Sequence, residues 1–250
     1  MIEGPEPLRF EPAADEASKL ERYTRQLSLP GFARYRQQKL FAGHVLVLGA
    51  GAIARTLAMN LVQSGVGQVK IISPSLSDLS STRNFLATVD NPDSKLTYQL
   101  VGEPLTGYLE ELIAQFDVIV DAACDWQIKL LASDLVMRAN RPLVHAHTNG
   151  LRCHVYCMVP GRSMCLRCLL VELEMEDYPR EASTPLSSLP SLDSIVGGFQ
   201  SLEVIKLLSG FGVSQGNELM QFDGLSGELE VLRGLDPRSD CPDCGRRFLT

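Results

Sequence analysis

The chain has 250 residues, 45% of them hydrophobic, enough apolar material to bury the core of one large domain. Thirty Asp and Glu against 23 Lys and Arg leave a net charge of −7, which argues against a nucleic-acid surface, since phosphate binding needs a basic face. No apolar run approaches the roughly 18 residues that cross a bilayer.

The first 20 residues, MIEGPEPLRFEPAADEASKL, are acidic and proline-bearing, with neither a basic start nor an apolar stretch. They read as a flexible leader and not a secretory signal, so the expected compartment is the cytoplasm. Residues 21–250 are expected to form a single domain. ASKLERYTRQLSLPGFARYRQQKLFAG predicts one or two helices interrupted at Pro30–Gly31. HVLVL, residues 44–48, predicts a strand, followed by glycines and the helical pattern AIARTLAMNLVQSG. QVKII predicts a second strand, TYQLV a weaker third, TGYLEELIAQF a helix and DVIVD a buried strand. DWQIKLLASDLVMRAN predicts the helix behind that strand, and RPLVHA another strand. Strands alternating with helices at this pitch imply βαβ units and a parallel sheet.

The second half reads differently. LRCHVYCMV alternates faces as an antiparallel strand does, and VELEMEDYPREASTPLSSLPS predicts a mobile crossing segment. LDSIVGGFQSLEVIKLLSG predicts a helix stopped by Gly210, and ELMQFDGLSGELEVLRG a hairpin turning around residues 224–227. The expected fold class is α/β: a Rossmann-like, mostly parallel sheet with helices on both faces and antiparallel C-terminal strands.

Three groups of residues carry chemistry. GAGAIA places Gly49, Ala50, Gly51 and Ala52 between a strand and a helix. Glycines there permit a tight turn and close approach of an anion to helix N–H donors, and the alternative use is close helix–strand packing. The motif leaves NAD, FAD and ATP open. The two CxxC pairs, Cys165/Cys168 and Cys241/Cys244, predict a four-thiolate Zn2+ site whose full shell makes it structural. Asp121 and Asp125 stand at the carboxyl end of a strand, where open α/β sheets bind ligands. A carboxylate there holds Mg2+ against a triphosphate or caps the following helix. Cys124, Cys153, Cys157, His145 and His147 read as core or strand residues.

Together these pieces resemble the MoeB/ThiF/HesA group of adenylyltransferases, bacterial relatives of ubiquitin-activating enzymes, from about Glu21 to Gly245. RYTRQLSLPGF is similar to the group's opening RYxRQ, VLVLGAGAIA to its phosphate loop, and DVIVDAACDW to its DxxxDN stretch, with Trp126 in place of Asn. IVGGFQSLEVIKLLSG is similar to its late helix, and the CxxC pairs to its zinc site. The resemblance implies binding of MgATP and adenylation of the C-terminus of a ubiquitin-like sulfur-carrier protein or peptide. It implies that Gly49 and Gly51 line the phosphates, Arg83 touches the triphosphate, Lys95 lies near the transferring phosphate and Asp125 holds magnesium. Arg25 would reach into a partner subunit's site, implying a homodimer.

Departures bear on activity. Ser73 and Ser75 stand where the group has two acids, the second holding the ribose. Lys95 runs almost directly into LTYQLV, so the helix that follows the group's lysine is missing or shortened. Residues 169–240 contain no cysteine, which predicts no thioester-linked carrier. The rival expectations are a catalytically impaired relative that binds a carrier or peptide, and an NAD-linked oxidoreductase. The last is disfavoured because no acid follows the second strand to read the ribose and no catalytic pair is evident.

Overall fold

The computed structural model describes residues 14–102, 105–123, 125–173, 188–214 and 216–245. An eight-stranded sheet has the order β3-β2-β1-β4-β5-β6-β7-β8. The strands are β1 (His44–Leu48), β2 (Gln68–Ser73), β3 (Lys95–Leu100), β4 (Val118–Asp121), β5 (Leu143–Asn149), β6 (Arg152–Met158), β7 (Leu219–Asp223) and β8 (Leu229–Leu232). The first five are parallel and the last three antiparallel, as the alternation of sequence patterns predicts.

The parallel strands are buried on both faces, which is why they read as continuous apolar runs. In β1, Val45 and Val47 pack with one core cluster while Leu46 and Leu48 pack with the other. On the first face lie α4 (Ala52–Gln63) and α9 (Pro190–Ser209). The second face is covered by α6 (Leu105–Ile113), α7 (Trp126–Ala139) and α8 (Leu166–Glu172). The α9–α4 contact depends on Gly197, where a Cβ would stand 2.8 Å from the Ile53 carbonyl oxygen. An alanine there forces the helices apart, at a cost of about 1–3 kcal/mol.

Before the sheet come three helices where one or two were expected, α1 (Ala14–Glu21), α2 (Thr24–Leu27) and α3 (Arg34–Ala42); the break at Pro30–Gly31 is as expected, while α1 takes in residues 14–20 of the expected flexible leader. Two helices escape the sequence patterns: α8, and α5 (Leu76–Phe85) within the serine-rich stretch after β2. The third strand starts at Lys95, earlier than TYQLV suggests, so no helix intervenes between this lysine and β3. Gly210 ends α9 in the left-handed conformation. Most of the segment expected to cross the site lies outside the described residues, as do Cys124 and residues 1–13. Among the described residues no helix is long and apolar enough to cross a membrane.

Candidate functional site

The turn after β1 is fixed from below. Gly49 has φ of 102°, and a Cβ on it would stand 2.6 Å from the Ala122 carbonyl oxygen, so only glycine lets the loops after β1 and β4 meet. Gly51 is the N-cap of α4, and the space beside it is open. Together with Ala50 and the tips of β2 and β4, these residues line a mainly apolar cavity of about 170 Å³. That is below the roughly 300–1,000 Å³ of small-molecule pockets, so it encloses only part of a nucleotide-sized ligand.

The tip of β2 is bound up in its own backbone. Ser73 Oγ accepts from the Ser75 N–H at 3.1 Å, and Ser75 Oγ accepts from the Asp78 N–H at 3.2 Å as the N-cap of α5. Asp78 itself lines the cavity. Sequence reasoning passed over it, although Ser-x-x-Asp before Leu79 resembles a capping box. Further along α5, the buried Thr82 hydroxyl donates to the Ala50 carbonyl and props the glycine loop. Arg55 of α4 donates to Thr82 Oγ1 at 3.1 Å and Ser81 Oγ at 2.8 Å.

The two aspartates after β4 part company. Asp125 lines the cavity and caps α7, accepting from the Gln127 N–H at 2.7 Å through Oδ1. Both uses read from the sequence are therefore open to this one side chain. Asp121 is fully buried and faces away from any magnesium role. Its Oδ2 lies 3.0 Å from Lys129 Nζ and 2.6 Å from His145 Nδ1, while Gln200 of α9 donates to its backbone oxygen at 2.8 Å. Burial raises the Asp121 carboxyl, but Lys129 and His145 outweigh this and hold it below the usual carboxylate range.

Behind that pair stand three buried imidazoles. His145 Nε2 lies 3.2 Å from His154 Nε2, and His147 packs on Trp126 with ring centroids 4.8 Å apart. Burial, with Lys129 alongside, lowers the pKa of all three and brings His147 to about 3, so the rings are neutral at neutral pH. The core placement expected for His145 and His147 is observed, but with an acid supplied from another strand.

Three residues suggested by resemblance lie elsewhere. Lys95 is exposed and pairs with Gln68, the first residue of β2, whereas the cavity lies at the Ser73 end. Five residue steps of strand separate the two ends, about 17 Å. Arg83 is exposed on α5, close enough to Tyr98 of β3 to act on its phenol electrostatically, and does not line the cavity. Arg25 is exposed on α2. The neighbouring Tyr23 bonds Asn91 and Asp93 ahead of β3, and Gln26 bonds the Ser64 carbonyl, which places α2 at the edge opposite its own chain's cavity.

The four cysteines of the CxxC pairs converge as expected. Cys165 and Cys241 sulfurs are 3.6 Å apart, Cys168 and Cys244 sulfurs 3.5 Å, and all four lie within 4.8 Å of one another in a buried cluster. The edges of a tetrahedron with zinc–sulfur bonds of about 2.3 Å are about 3.8 Å, so the residues present fit the ion.

Comparison with known proteins gives a consistent picture. The model of the ThiF family matches residues 23–91 and 91–243. The bovine "Adenylyltransferase and sulfurtransferase MOCS3" is 28% identical over 257 residues, covering 94% of this chain and 55% of that protein. The chain thus spans about half the length of that relative. "Protein HesA, heterocyst" of Trichormus variabilis is 27% identical, with 91% of this chain and 90% of that protein covered. Among solved structures, E. coli MccB crystallised with ATP superposes with a TM-score of 0.74 at 16% identity, over 90% of this chain and 73% of that one.

Proposed function

Because the chain belongs to the ThiF family, we propose that it uses MgATP to adenylate the C-terminal carboxylate of a ubiquitin-like sulfur-carrier protein or a peptide. The observation that carries this is the cavity at the carboxyl rim, where the glycine loop, Asp78 and Asp125 meet. Backbone N–H groups from Gly49 to Ala52, at the start of α4, take the phosphates. Ser73, Ser75 and Asp78 flank the ribose, with the charged carboxylate of Asp78 giving the stronger hydrogen bond. Asp125 would hold magnesium through the oxygen that Gln127 leaves free. Bound there, the ion neutralises charge on the departing pyrophosphate.

The substrate carboxylate attacks the α-phosphorus, the bond to the β-phosphate oxygen breaks, and pyrophosphate leaves. Positioning and charge neutralisation are all that this step asks of the chain. Arg83 acts on the triphosphate by swinging inward from α5, and Arg25 enters the site of a second copy in a homodimer. Zinc on the four cysteines is structural, and residues 21–250 act as one unit in the cytoplasm.

A second reading, a carrier- or peptide-binding relative without catalysis, is favoured by two observations: Ser73 and Ser75 already satisfy their own backbone, and Lys95 stands at the far edge. Pyrophosphate exchange with a carrier ending in Gly-Gly, together with calorimetry of MgATP on the natural chain and Asp125→Ala, separates the two. Exchange that is lost with Asp125→Ala supports adenylation. Carrier binding without ATP heat or exchange supports the second reading.

A further inference from the structure

Next to the glycine-loop cavity the sheet turns antiparallel, and its register lines up side chains across four strands. His147 is opposite His154, His154 opposite Gln221, and Gln221 opposite Glu230. Directly paired residues share a face, so these four form one polar row on the side of the sheet that carries Trp126. The next row toward the rim holds Asn149, Arg152 and Asp223, with Glu228 beside Asp223 across the hairpin. One row inward, His145, Tyr156, Leu219 and Leu232 return to a mainly apolar pattern.

The polar rows border a cavity of about 730 Å³. Its charge is one-sided. Arg152 is matched by Asp223 at 2.9 Å, whereas Glu228 and Glu230 are exposed and make no ion pair among the described residues. At its floor His147 is 7% exposed, and its Nδ1, closed off from solvent, has no hydrogen-bond partner. His154 is 8% exposed and neutral in this setting. Neutral imidazoles offer lone pairs, and the glutamates offer negative charge. Such a lining takes a hydrogen-bond-donating cation. Among the described residues only the cysteine quartet brings three or more metal-ligating atoms together, so the rows are not spaced for a bare ion.

We propose that the cavity over His147, His154 and Glu230 binds an ammonium-bearing ligand, held beside the neutral imidazole rings with its charge met by Glu228 and Glu230. The position is on the same rim as the glycine loop. Two sources share this chemistry: a basic side chain near the C-terminus of the adenylated polypeptide, which rests on the function proposed above, or a free amine.

Calorimetry and side-chain histidine NMR on the full chain, without nucleotide, test the proposal with N-acetyl-lysine amide, 1,4-diaminobutane and the neutral N-acetyl-norleucine amide. At least one amine is expected to bind saturably and shift the His147 and His154 signals, with the neutral probe silent. Glu230→Gln, an exposed change that leaves the fold intact, is expected to weaken binding about five-fold. Preference for the lysine amide marks the polypeptide source, and preference for diaminobutane the free amine. Equal binding of the neutral probe, no saturation by about 10 mM, or unchanged affinity in both Glu228→Gln and Glu230→Gln overturns the proposal, as does tighter binding of zinc alone at these histidines. MgATP is titrated separately. Amine binding without ATP binding defeats only the adenylation reading, and ATP binding without amine binding defeats only this one.

Discussion

Ser75 Oγ accepts the backbone N–H of Asp78 at 3.2 Å, so the serine standing where an acid was expected caps the helix that carries an acid three positions on. A carboxylate thus stands on the cavity wall, in the first turn of α5.

Asp78→Asn is accordingly expected to weaken MgATP about ten-fold, the difference between a charged and a neutral acceptor. The same change is expected to leave 2′,3′-dideoxy-ATP unaffected, since no ribose hydroxyls remain to be read. Ser75→Asp adds a second acid near one already present and should tighten ATP by less than about three-fold. It keeps the cap, whereas Ser75→Ala should cost about 1 kcal/mol of stability. Calorimetry and urea unfolding measure the two effects, and an Asp78→Asn variant with unaltered ATP affinity would rule out the ribose role.

Lys95→Ala should change MgATP affinity by less than about two-fold, because the lysine begins β3 at the edge opposite the cavity. A ten-fold loss measured by calorimetry would mean that the phosphates approach from the other end of the sheet.

Purified without chelator, the chain should carry close to one zinc, measured by elemental analysis. Cys241→Ser removes one corner of the quartet and should lower unfolding free energy by several kcal/mol, since the metal binds only the folded arrangement. Urea unfolding with and without added zinc reads this out. Equal stability of variant and natural chain, or zinc absent from the natural chain, would count against the site.

Acid should destabilise the protein through two groups, His147 first and Asp121 at lower pH. His147, held near pKa 3 by burial, stays neutral in the folded chain while an unfolded histidine takes a proton below about 6.5. The unfolded state therefore binds the extra proton, and stability falls as pH drops through that interval, by about 2 kcal/mol near pH 5 for this group alone. Asp121 acts in the same direction at lower pH: its folded pKa is depressed, so its contribution stands above about pH 3.9 and is lost as pH falls through the lower, folded value. Urea midpoints at a series of pH values should show the upper window shrink in His147→Asn. A flat profile between about pH 7 and 5 would contradict the neutral imidazoles.

Breaking the buried pair is the more severe lesion. Lys129→Met leaves the Asp121 carboxylate without its ammonium, 3.0 Å away, and should cost about 3–5 kcal/mol. Lys129→Met/Asp121→Leu should recover part of this, which a double-mutant cycle by chemical denaturation would measure.

Whatever depends on near neighbours was legible in the sequence. HVLVL, GAGAIA and the late helix to Gly210 each carry their period, turn or cap within a few residues, and all appear where expected. α5 was hidden because Ser80, Ser81 and Thr82 are poor helix formers, held instead by the Ser75 cap and by the bond from Thr82 to Ala50. Asp121, Lys129 and His145 meet across two strands and a helix, a juxtaposition that no linear spacing encodes. Lys95 came from resemblance alone, and its position at the start of β3, level with Gln68, follows from strand pairing that no local pattern carries.

The glycine loop meets the end of β4 through backbone, and from there the Asp121–His145–His154 side chains run on to the histidine row. β1, β4 and β5 are adjacent, and neighbouring strands stand about 4.8 Å apart, so roughly 10 Å separates the glycine-loop strand from the first histidine strand. The sheet therefore sets the spacing between the two stations as a fixed pitch, while the buried acid at the end of β4 ties the charge of one to the rings of the other.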